Sequence, residues 1–188
     1  MKISDGIDLS RSNPSFTREI NKLSRVTSTR CFQCRSCSNG CPFVAAMDYP
    51  PNVVMRLVQL GCEEAVLSSS SIWICVGCNT CCSNCPNAID IPAVMDALRQ
   101  TALKKGYSVA EPEILNFHEE VLSSIRRYGR THKLDIMLRY KLRTRDLFTD
   151  MDKGLKMFAK RKLDLAPSRV KAIGRIRKIF EDNGEVRP

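Results

Sequence analysis

Two short stretches of this chain carry the same cysteine pattern. Residues 31–42 read CFQCRSCSNGCP, and residues 75–86 read CVGCNTCCSNCP. Both follow the spacing C-x2-C-x2-C-x3-C-P. Together they use eight of the ten cysteines in a chain of 188 residues. The second stretch therefore marks an internal repeat of the first.

This spacing is typical of the ligands of a [4Fe–4S] cluster. A cubane cluster presents four irons at the corners of a tetrahedron, and each iron takes one thiolate. Three cysteines two residues apart on a tight turn can reach three of these corners. The fourth cysteine follows where the chain is already leaving the site, and in two-cluster ferredoxins it ligates the other cluster.

The two motifs therefore predict two clusters with crossed ligation. The ligands predicted for the first cluster are Cys31, Cys34, Cys37 and Cys85. The ligands predicted for the second cluster are Cys75, Cys78, Cys81 and Cys41. A proline follows each fourth cysteine, where a residue without an N–H and with a fixed φ suits a change of chain direction. Crossed ligation implies a core with pseudo-twofold symmetry.

Disulfides and zinc are the other common uses of clustered cysteines. Disulfide frameworks are typical of short secreted chains with a higher cysteine density, and residues 1–12 show no apolar signal region. Zinc sites generally use separated CxxC pairs, which these runs do not match. We therefore predict two [4Fe–4S] clusters in a cytoplasmic protein, where thiols stay reduced.

The rest of the chain favours helices. Asn13 and Pro14 suit the start of a short amphipathic helix, and helices at 53–60 and 93–105 should end at Gly61 and Gly106. Further helices are expected at 111–127, 133–142 and 145–160. No stretch alternates convincingly between apolar and polar residues, as a half-buried strand would.

The predicted fold class is therefore all-α. We expect an alpha-helical ferredoxin with two clusters, an N-terminal helix and a helical, basic C-terminal arm. The corresponding domains are 1–30 for the N-terminal helix, 31–106 for the two-cluster core, and 107–188 for a C-terminal extension that docks on another subunit.

The C-terminal extension is strongly basic. The whole chain has a formal net charge of +10, and residues 126–178 hold 18 Lys and Arg against five Asp and Glu. Such a region favours an acidic partner or nucleic acid. After Pro167, however, Ile173, Ile176 and Ile179 form an apolar stripe among the basic residues, which favours packing or subunit docking. No apolar run approaches the roughly 18 residues of a membrane span.

Several other residues attract attention but are not expected to act. Cys62 and Cys82 lie outside the repeat and are interpreted as buried, inert thiols. His118 and His132 have no metal-ligand partner at a useful spacing. The apolar residues Ile72, Trp73, Ile74 and Val76 are expected to pack near a cluster and limit its contact with solvent.

The motifs indicate electron transfer and not catalysis that makes or breaks the bonds of a substrate. Eight cysteine ligands would saturate both cubanes, which leaves no open iron for a substrate. The sequence contains no glycine-rich phosphate loop, no dinucleotide fingerprint and no nucleophile–base constellation. A non-catalytic relay of single electrons is the remaining role.

The sequence resembles the C subunits of heterodisulfide reductases. The resemblance is carried by the two motifs, by WICVGCNTC at 73–81, and more weakly by GLKMF at 154–158 and PSRV at 167–170. The same cluster module occurs in the iron–sulfur subunits of succinate dehydrogenase, glycolate oxidase and anaerobic glycerol-phosphate dehydrogenase. Those proteins usually add a [2Fe–2S] domain or cysteine-rich CCG modules, which this sequence lacks.

The resemblance implies a place in a complex. The C subunit would transfer electrons from the A subunit, which holds flavin and iron–sulfur clusters, to the CCG-containing B subunit. The B subunit reduces the disulfide of coenzyme M and coenzyme B. In the cytoplasmic form the complex couples to a hydrogenase or formate dehydrogenase by flavin-based electron bifurcation.

Two alternatives remain open from the sequence. One is the electron-transfer subunit of another flavoenzyme, including related complexes of sulfur metabolism and the glycolate or glycerol-phosphate dehydrogenase type. The other is an iron–sulfur protein that binds nucleic acid, although such proteins normally hold one cluster. We predict no nucleic-acid partner and no membrane span.

Overall fold

The computed structural model describes residues 9–144 and 170–182. Within these ranges the regular elements are helices and short 3₁₀ turns, with no strand, which confirms the all-α prediction. The chain divides into two compact units, Met1–Glu111 and Pro112–Pro188. Both cysteine motifs lie in the first unit.

The first unit is built from helices that alternate with the cysteine loops. Its helices within residues 9–111 are α1 (Pro14–Ser24), α2 (Ser36–Asn39), α3 (Pro51–Leu60), α4 (Glu63–Leu67), α5 (Ser71–Ile74), α6 (Thr80–Ser83) and α7 (Ile91–Lys105). The short helices α2 and α6 lie inside the two cysteine motifs, and the longer α3 and α7 follow them.

Helix α1 starts as its sequence predicts. The Oδ1 atom of Asn13 accepts a hydrogen bond from the Ser15 N–H at 3.1 Å, and Pro14 occupies the first helical position, where its missing N–H costs nothing. Phe16 and Ile20 are completely buried as α1 packs against α3 and α7. The N-terminal helix therefore belongs to the core of the cluster-bearing unit.

Helices α3 and α7 repeat one plan at both ends. Each has proline in its first turn, and both begin slightly earlier than predicted. Each ends at a glycine in the left-handed region, Gly61 with φ of +69° and Gly106 with φ of +73°. Because a residue without a Cβ adopts this conformation at little cost, both glycines stop their helices where the sequence predicts.

Helices α4 and α5 were not expected from the sequence. The serines at 68–71 suggest a loop, but Val66, Leu67 and Ile72 are completely buried and Trp73 is 2% exposed. Both helices contact α7. The apolar residues on either side of the serines therefore form the centre of the core, where burial outweighs the weak helix propensity of serine.

The second unit, where it is described, consists of three helices. They are α8 (Pro112–Tyr128), α9 (Lys133–Thr144) and α10 (Ile173–Asp182), and α9 and α10 both pack against α8. Phe117 and Tyr140 meet edge to face with ring centroids 5.8 Å apart. The helix predicted at 145–160 and the position of Pro167 lie outside the described residues.

No helix in the described part of the chain is both long and apolar enough to cross a membrane.

Candidate metal centres

The first cysteine motif wraps three thiols around one turn. Gln33 has φ of 58° and Arg35 has φ of 66°, so two of the residues between the cysteines are left-handed. The Arg35 carbonyl then accepts hydrogen bonds from the N–H groups of Ser38 and Asn39, both at 3.0 Å, at the start of α2. This turn brings Cys31, Cys34 and Cys37 to one side of the chain.

The second motif has the same backbone conformation. Gly77 has φ of 66° and Asn79 has φ of 63°. The Asn79 carbonyl accepts from the N–H groups of Cys82 and Ser83 at 3.0 and 3.1 Å, at the start of α6. The repeat seen in the sequence is therefore also a repeat of left-handed residues and of hydrogen bonds.

A side chain from the long helix that follows each motif donates hydrogen bonds to backbone carbonyls at the start of that motif. Gln59 of α3 donates to the carbonyls of Ser28 and Cys31 at 2.9 and 3.2 Å. Arg99 occupies the same position of α7 and donates to the carbonyl of Cys75 and to that of the residue three positions before it. Sequence reasoning missed both residues, although their shared position, nine residues into a helix that follows a motif, is visible in the repeat.

The first motif borders a cavity that opens to solvent. Four thiols line it: Cys31, Cys34, Cys37 and Cys85. The fourth of these comes from the second motif. The side chains grouped here are the set that the spacing predicts for the first cluster.

The second motif borders a similar cavity. Four thiols line this cavity as well: Cys75, Cys78, Cys81 and Cys41. The two motifs thus exchange their fourth cysteines in space.

One apolar side chain lies in the walls of both cavities. Ile91, the first residue of α7, lines both of them and is 2% exposed. The cavities are therefore neighbours in the interior of the same unit.

Each cavity has one exposed thiol. Cys34 and Cys78 are exposed, and their sulfurs lie 3.4 Å from the hydroxyls of Ser36 and Thr80. Hydrogen bonding to these hydroxyls lowers the pKa of both thiols. Each cavity therefore reaches the protein surface at the second cysteine of its motif.

The third cysteine of each motif is more sheltered. Burial raises the pKa of Cys37, and it raises the pKa of Cys81 to about 12. A free thiol at Cys81 keeps its proton at neutral pH, so a metal that binds there has to displace that proton.

The two cavities differ in the residues that form the rest of their walls. Gln33, Asn52 and Asn87 line the first cavity together with apolar residues that include Phe32 and Ile89. The second is lined by apolar groups, including Phe43, Met47, Val76, Pro92 and Met95. The cysteine pattern gives no sign of this difference, because it depends on residues between and after the motifs.

The remaining cysteines and the residues around Trp73 follow the sequence predictions in part. Cys62 is 5% exposed, as an inert thiol would be. Cys82, by contrast, is half-buried, with its sulfur 3.7 Å from Asp90 Oδ1. Trp73 lies in the core, while Val76 lines the second cavity and is 61% exposed, so it gives that site less shelter than expected.

The two histidines lie in the second unit. The Nδ1 atom of His132 accepts the Asp135 N–H at 3.2 Å. This bond near the start of α9 gives His132 a structural role.

The donor sets of both cavities fit [4Fe–4S] clusters. All ten cysteines are free, and each cavity presents four thiols with no nitrogen or carboxylate ligand among them. Four thiolates are what one cubane requires.

Comparison with known proteins agrees with this fit. Residues 27–89 match the 4Fe-4S dicluster domain family, and this range contains both motifs. The match confirms the prediction of two [4Fe–4S] clusters as cofactors.

Several curated proteins are similar to the same part of the chain. The iron–sulfur C subunit of the CoB–CoM heterodisulfide reductase of Methanopyrus kandleri is 35% identical over 103 residues, covering 50% of this chain and 54% of the relative. The second such C subunit of Methanocaldococcus jannaschii is 29% identical over 131 residues, covering 65% and 67%. A protein of Archaeoglobus profundus, named for its likeness to the heterodisulfide reductase C subunit, is 28% identical over 111 residues, covering 58% and 56%.

The matches span about half to two thirds of the length of these relatives. They confirm the resemblance to the C subunits of heterodisulfide reductases. They also support an iron–sulfur electron-transfer role for this chain.

Proposed function

We propose that this chain is the electron-relay subunit of a CoB–CoM heterodisulfide reductase complex. It would pass electrons from a flavin-bearing A subunit to a disulfide-reducing B subunit, without catalysing bond chemistry itself. The dicluster match and the names of the similar proteins support this proposal.

The observation that carries the proposal is the pair of adjoining four-thiol cavities. The buried side chain of Ile91 lines both. When bound, the clusters would supply one-electron transfer, and cavities that share a wall residue suit transfer between them. Eight thiols would complete both clusters and leave no iron open to a substrate.

We also propose that ligation follows the grouping of the thiols in the cavities. Cys85 would complete the first set and Cys41 the second. This assignment is supported by the position of each of these residues in the wall of the other motif's cavity. The left-handed residues in each loop hold the other three cysteines of each set on one turn.

Each cavity offers a route to the surface. Because Cys34 and Cys78 are exposed, a partner can approach the edge of either cluster without the protein opening. Two separate edges suit a relay, in which one partner donates electrons and another accepts them.

The second unit supports a role in assembly. Leu138 and Leu142 of α9 are 61% and 58% exposed and lie one helical turn apart, so they form an apolar patch. Burial of such a patch in a complex would stabilise it by removing apolar area from water. We propose that this patch contacts another subunit.

The patch is tested by the double variant Leu138→Ser with Leu142→Ser. It should retain both clusters but co-purify with less of its partners. Lys133→Ser, an exposed change in the same helix, serves as the control. An unchanged yield of the complex in the double variant would contradict docking through this patch.

The function itself is tested by anaerobic purification from the native host. We expect about eight irons per chain, with a flavoprotein and a CCG-containing protein co-purifying. Zinc, or far less iron, would contradict the cluster assignment. Full iron together with a different flavoenzyme would retain electron transfer and assign the chain to that other complex.

A further inference from the structure

Three polar side chains form a connected hydrogen-bond network beside the first cavity. Ser38 and Asn52 are each 8% exposed, and Gln33 lies between Asn52 and the sulfur of Cys31. Asn52 is the second residue of α3 and lines the cavity. The network thus joins the start of a helix to a proposed cluster ligand.

The donor and acceptor ends of the network follow from its first bond. The backbone N–H of Asn52 donates to Ser38 Oγ at 3.0 Å, and the Ser38 hydroxyl then donates to Asn52 Oδ1 at 2.6 Å. The structure assigns the facing atom as the oxygen of the Asn52 amide, which accepts the proton that the Ser38 hydroxyl still has to donate. The Nδ2 group of Asn52 is therefore the end that points to Gln33.

The same logic identifies the group that faces the sulfur. Asn52 Nδ2 donates to Gln33 Oε1 at 3.4 Å. The Gln33 amide consequently presents its Nε2 group to Cys31 Sγ, at 3.4 Å. An amide nitrogen can only donate, so the network ends in an N–H directed at the sulfur.

The second cavity has no equivalent of this network. In the repeat, Gly77 replaces Gln33 and Cys82 replaces Ser38, while Pro92, the second residue of α7, replaces Asn52. Glycine and proline carry no side-chain donor. Both sites do have a hydroxyl beside their exposed cysteine, so that feature does not distinguish them.

We propose that the Ser38–Asn52–Gln33 network is a redox-tuning element that raises the reduction potential of the cluster in the first cavity. Reduction adds negative charge to a cluster and its sulfurs. An N–H held toward one sulfur stabilises that charge, and hydrogen bonds to sulfur are a known determinant of cluster potential. The inference rests on the cluster-binding part of the proposed function and not on the identity of the partner complex.

A charge behind the second cysteine loop would act in the same direction on the other cluster. Arg99 binds the Cys75 carbonyl where the neutral Gln59 binds the Cys31 carbonyl. A fixed cation near the second cluster raises that cluster's potential as well. The network is therefore tested by changing it, and not by ranking the two native potentials.

The decisive variant is Gln33→Gly in the full chain with both clusters. Position 33 has φ of 58°, which glycine adopts easily, and the change reproduces the residue found in the second motif. In an EPR-monitored redox titration we expect one of two midpoints to fall. At a fixed potential the reduced-to-oxidised ratio of that cluster should drop about tenfold. For a one-electron couple this corresponds to a fall of ~59 mV in the midpoint potential.

Controls assign the effect to one site. Gly77→Ala, at the matching position of the second motif, should leave the affected midpoint unchanged. Cys78→Ser, which removes one of the thiols proposed to bind the second cluster, should abolish the other midpoint and so assign the two. Iron content should stay at about eight per chain in Gln33→Gly.

A second variant keeps the inference testable if Gln33→Gly loses iron. Asn52→Val leaves Gln33 in place but removes the group that orients its amide, so the same midpoint should fall by a smaller amount. The inference is overturned if neither variant lowers that midpoint, or if both midpoints fall equally. Absence of iron from the unaltered protein would instead refute cluster binding itself.

Discussion

The two halves of the cluster-bearing unit share a backbone but differ in their side chains. In both halves, two left-handed residues, a short helix and a long proline-started helix place three cysteines around a cavity. Around this common frame the lining residues differ: Gln33 and Asn52 line the first cavity, and the matching positions of the second are Gly77 and Pro92.

The outer surfaces of the two loops differ as well. Arg30, Phe32 and Arg35 of the first motif region correspond to Ile74, Val76 and Asn79 of the second. Phe32 and Val76 are 77% and 61% exposed, so both loops present an apolar side chain beside an exposed cysteine. Only the first loop adds two arginines.

This contrast separates what holds a cluster from what adjusts it. Ligand geometry requires the cysteines and a few backbone conformations, and these are the same in both halves. Charge and hydrogen bonding depend on residues that the geometry does not constrain. A duplicated frame can therefore give two chemically similar clusters different potentials and different surfaces.

The largest expected effect comes from breaking the exchange of ligands. Cys85→Ser and Cys31→Ser should lose the same cluster, because their sulfurs line the same cavity. Iron should fall from about eight to about four per chain in both variants, and their remaining EPR spectra should match. A match between Cys85→Ser and Cys75→Ser would refute crossed ligation.

The glycines that end α3 and α7 provide a second comparison. A Cβ at Gly61 would lie 2.5 Å from the Asn13 carbonyl oxygen, whereas a Cβ at Gly106 would meet nothing within 4 Å. Gly106→Ala should lower the free energy of unfolding by about 1 kcal/mol, because alanine is strained at the positive φ of this position. Gly61→Ala should lower the free energy of unfolding by about 1–3 kcal/mol more than that, because the backbone of Asn13 would have to move.

Anaerobic urea unfolding followed by circular dichroism measures this difference. Equal midpoints for the two alanine variants would show that α1 adjusts freely to the end of α3. A larger loss of stability in Gly106→Ala than in Gly61→Ala would contradict the close packing of Asn13 against Gly61.

The cation at the second loop gives a smaller, local effect. Arg99→Gln introduces the residue that performs the same task in the first half, where Gln59 bonds two carbonyls. We expect a loss of about 1 kcal/mol in stability and a lower potential for the second cluster, because a positive charge is removed. A redox titration checks this, and a shift of the first cluster's midpoint would argue against a local effect.

The smallest effect concerns the two arginines of the first loop. With Arg30→Gln and Arg35→Gln together, reduction by the anionic reductant dithionite should slow roughly two- to fivefold at low ionic strength, because exposed charges attract an anion weakly. Stopped-flow absorbance measures the rate. The difference should vanish at high salt, and a loss that persists there would indicate damage to the site.

The cysteine spacing predicts much of this site because its information is local. The spacing assigns Cys85 to the first set of ligands and Cys41 to the second, and these thiols line the corresponding cavities. Ligation by these residues stays a prediction. Helix ends at Asn13, Gly61 and Gly106 were also predictable, since capping and positive φ depend on single residues.

The features that sequence reasoning missed depend on contacts between distant residues. The orientation of the Gln33 amide is set by Asn52, 19 residues away. Arg99 reaches the Cys75 carbonyl from 24 residues away. Helix α5 was not predicted because serines precede Trp73, and the burial of the neighbouring residues is evident only from the tertiary structure.

The exchange of fourth cysteines also has a consequence for assembly. Under the proposed ligation, each cluster acts as a cross-link between the start of one motif and the end of the other, spanning 54 residues for Cys31 and Cys85. Neither cross-link can close until both motifs have been synthesised. Because metal binding is coupled to folding, iron supply would govern the unit as a whole, and a chelator should release both loops together with the helices that hold them.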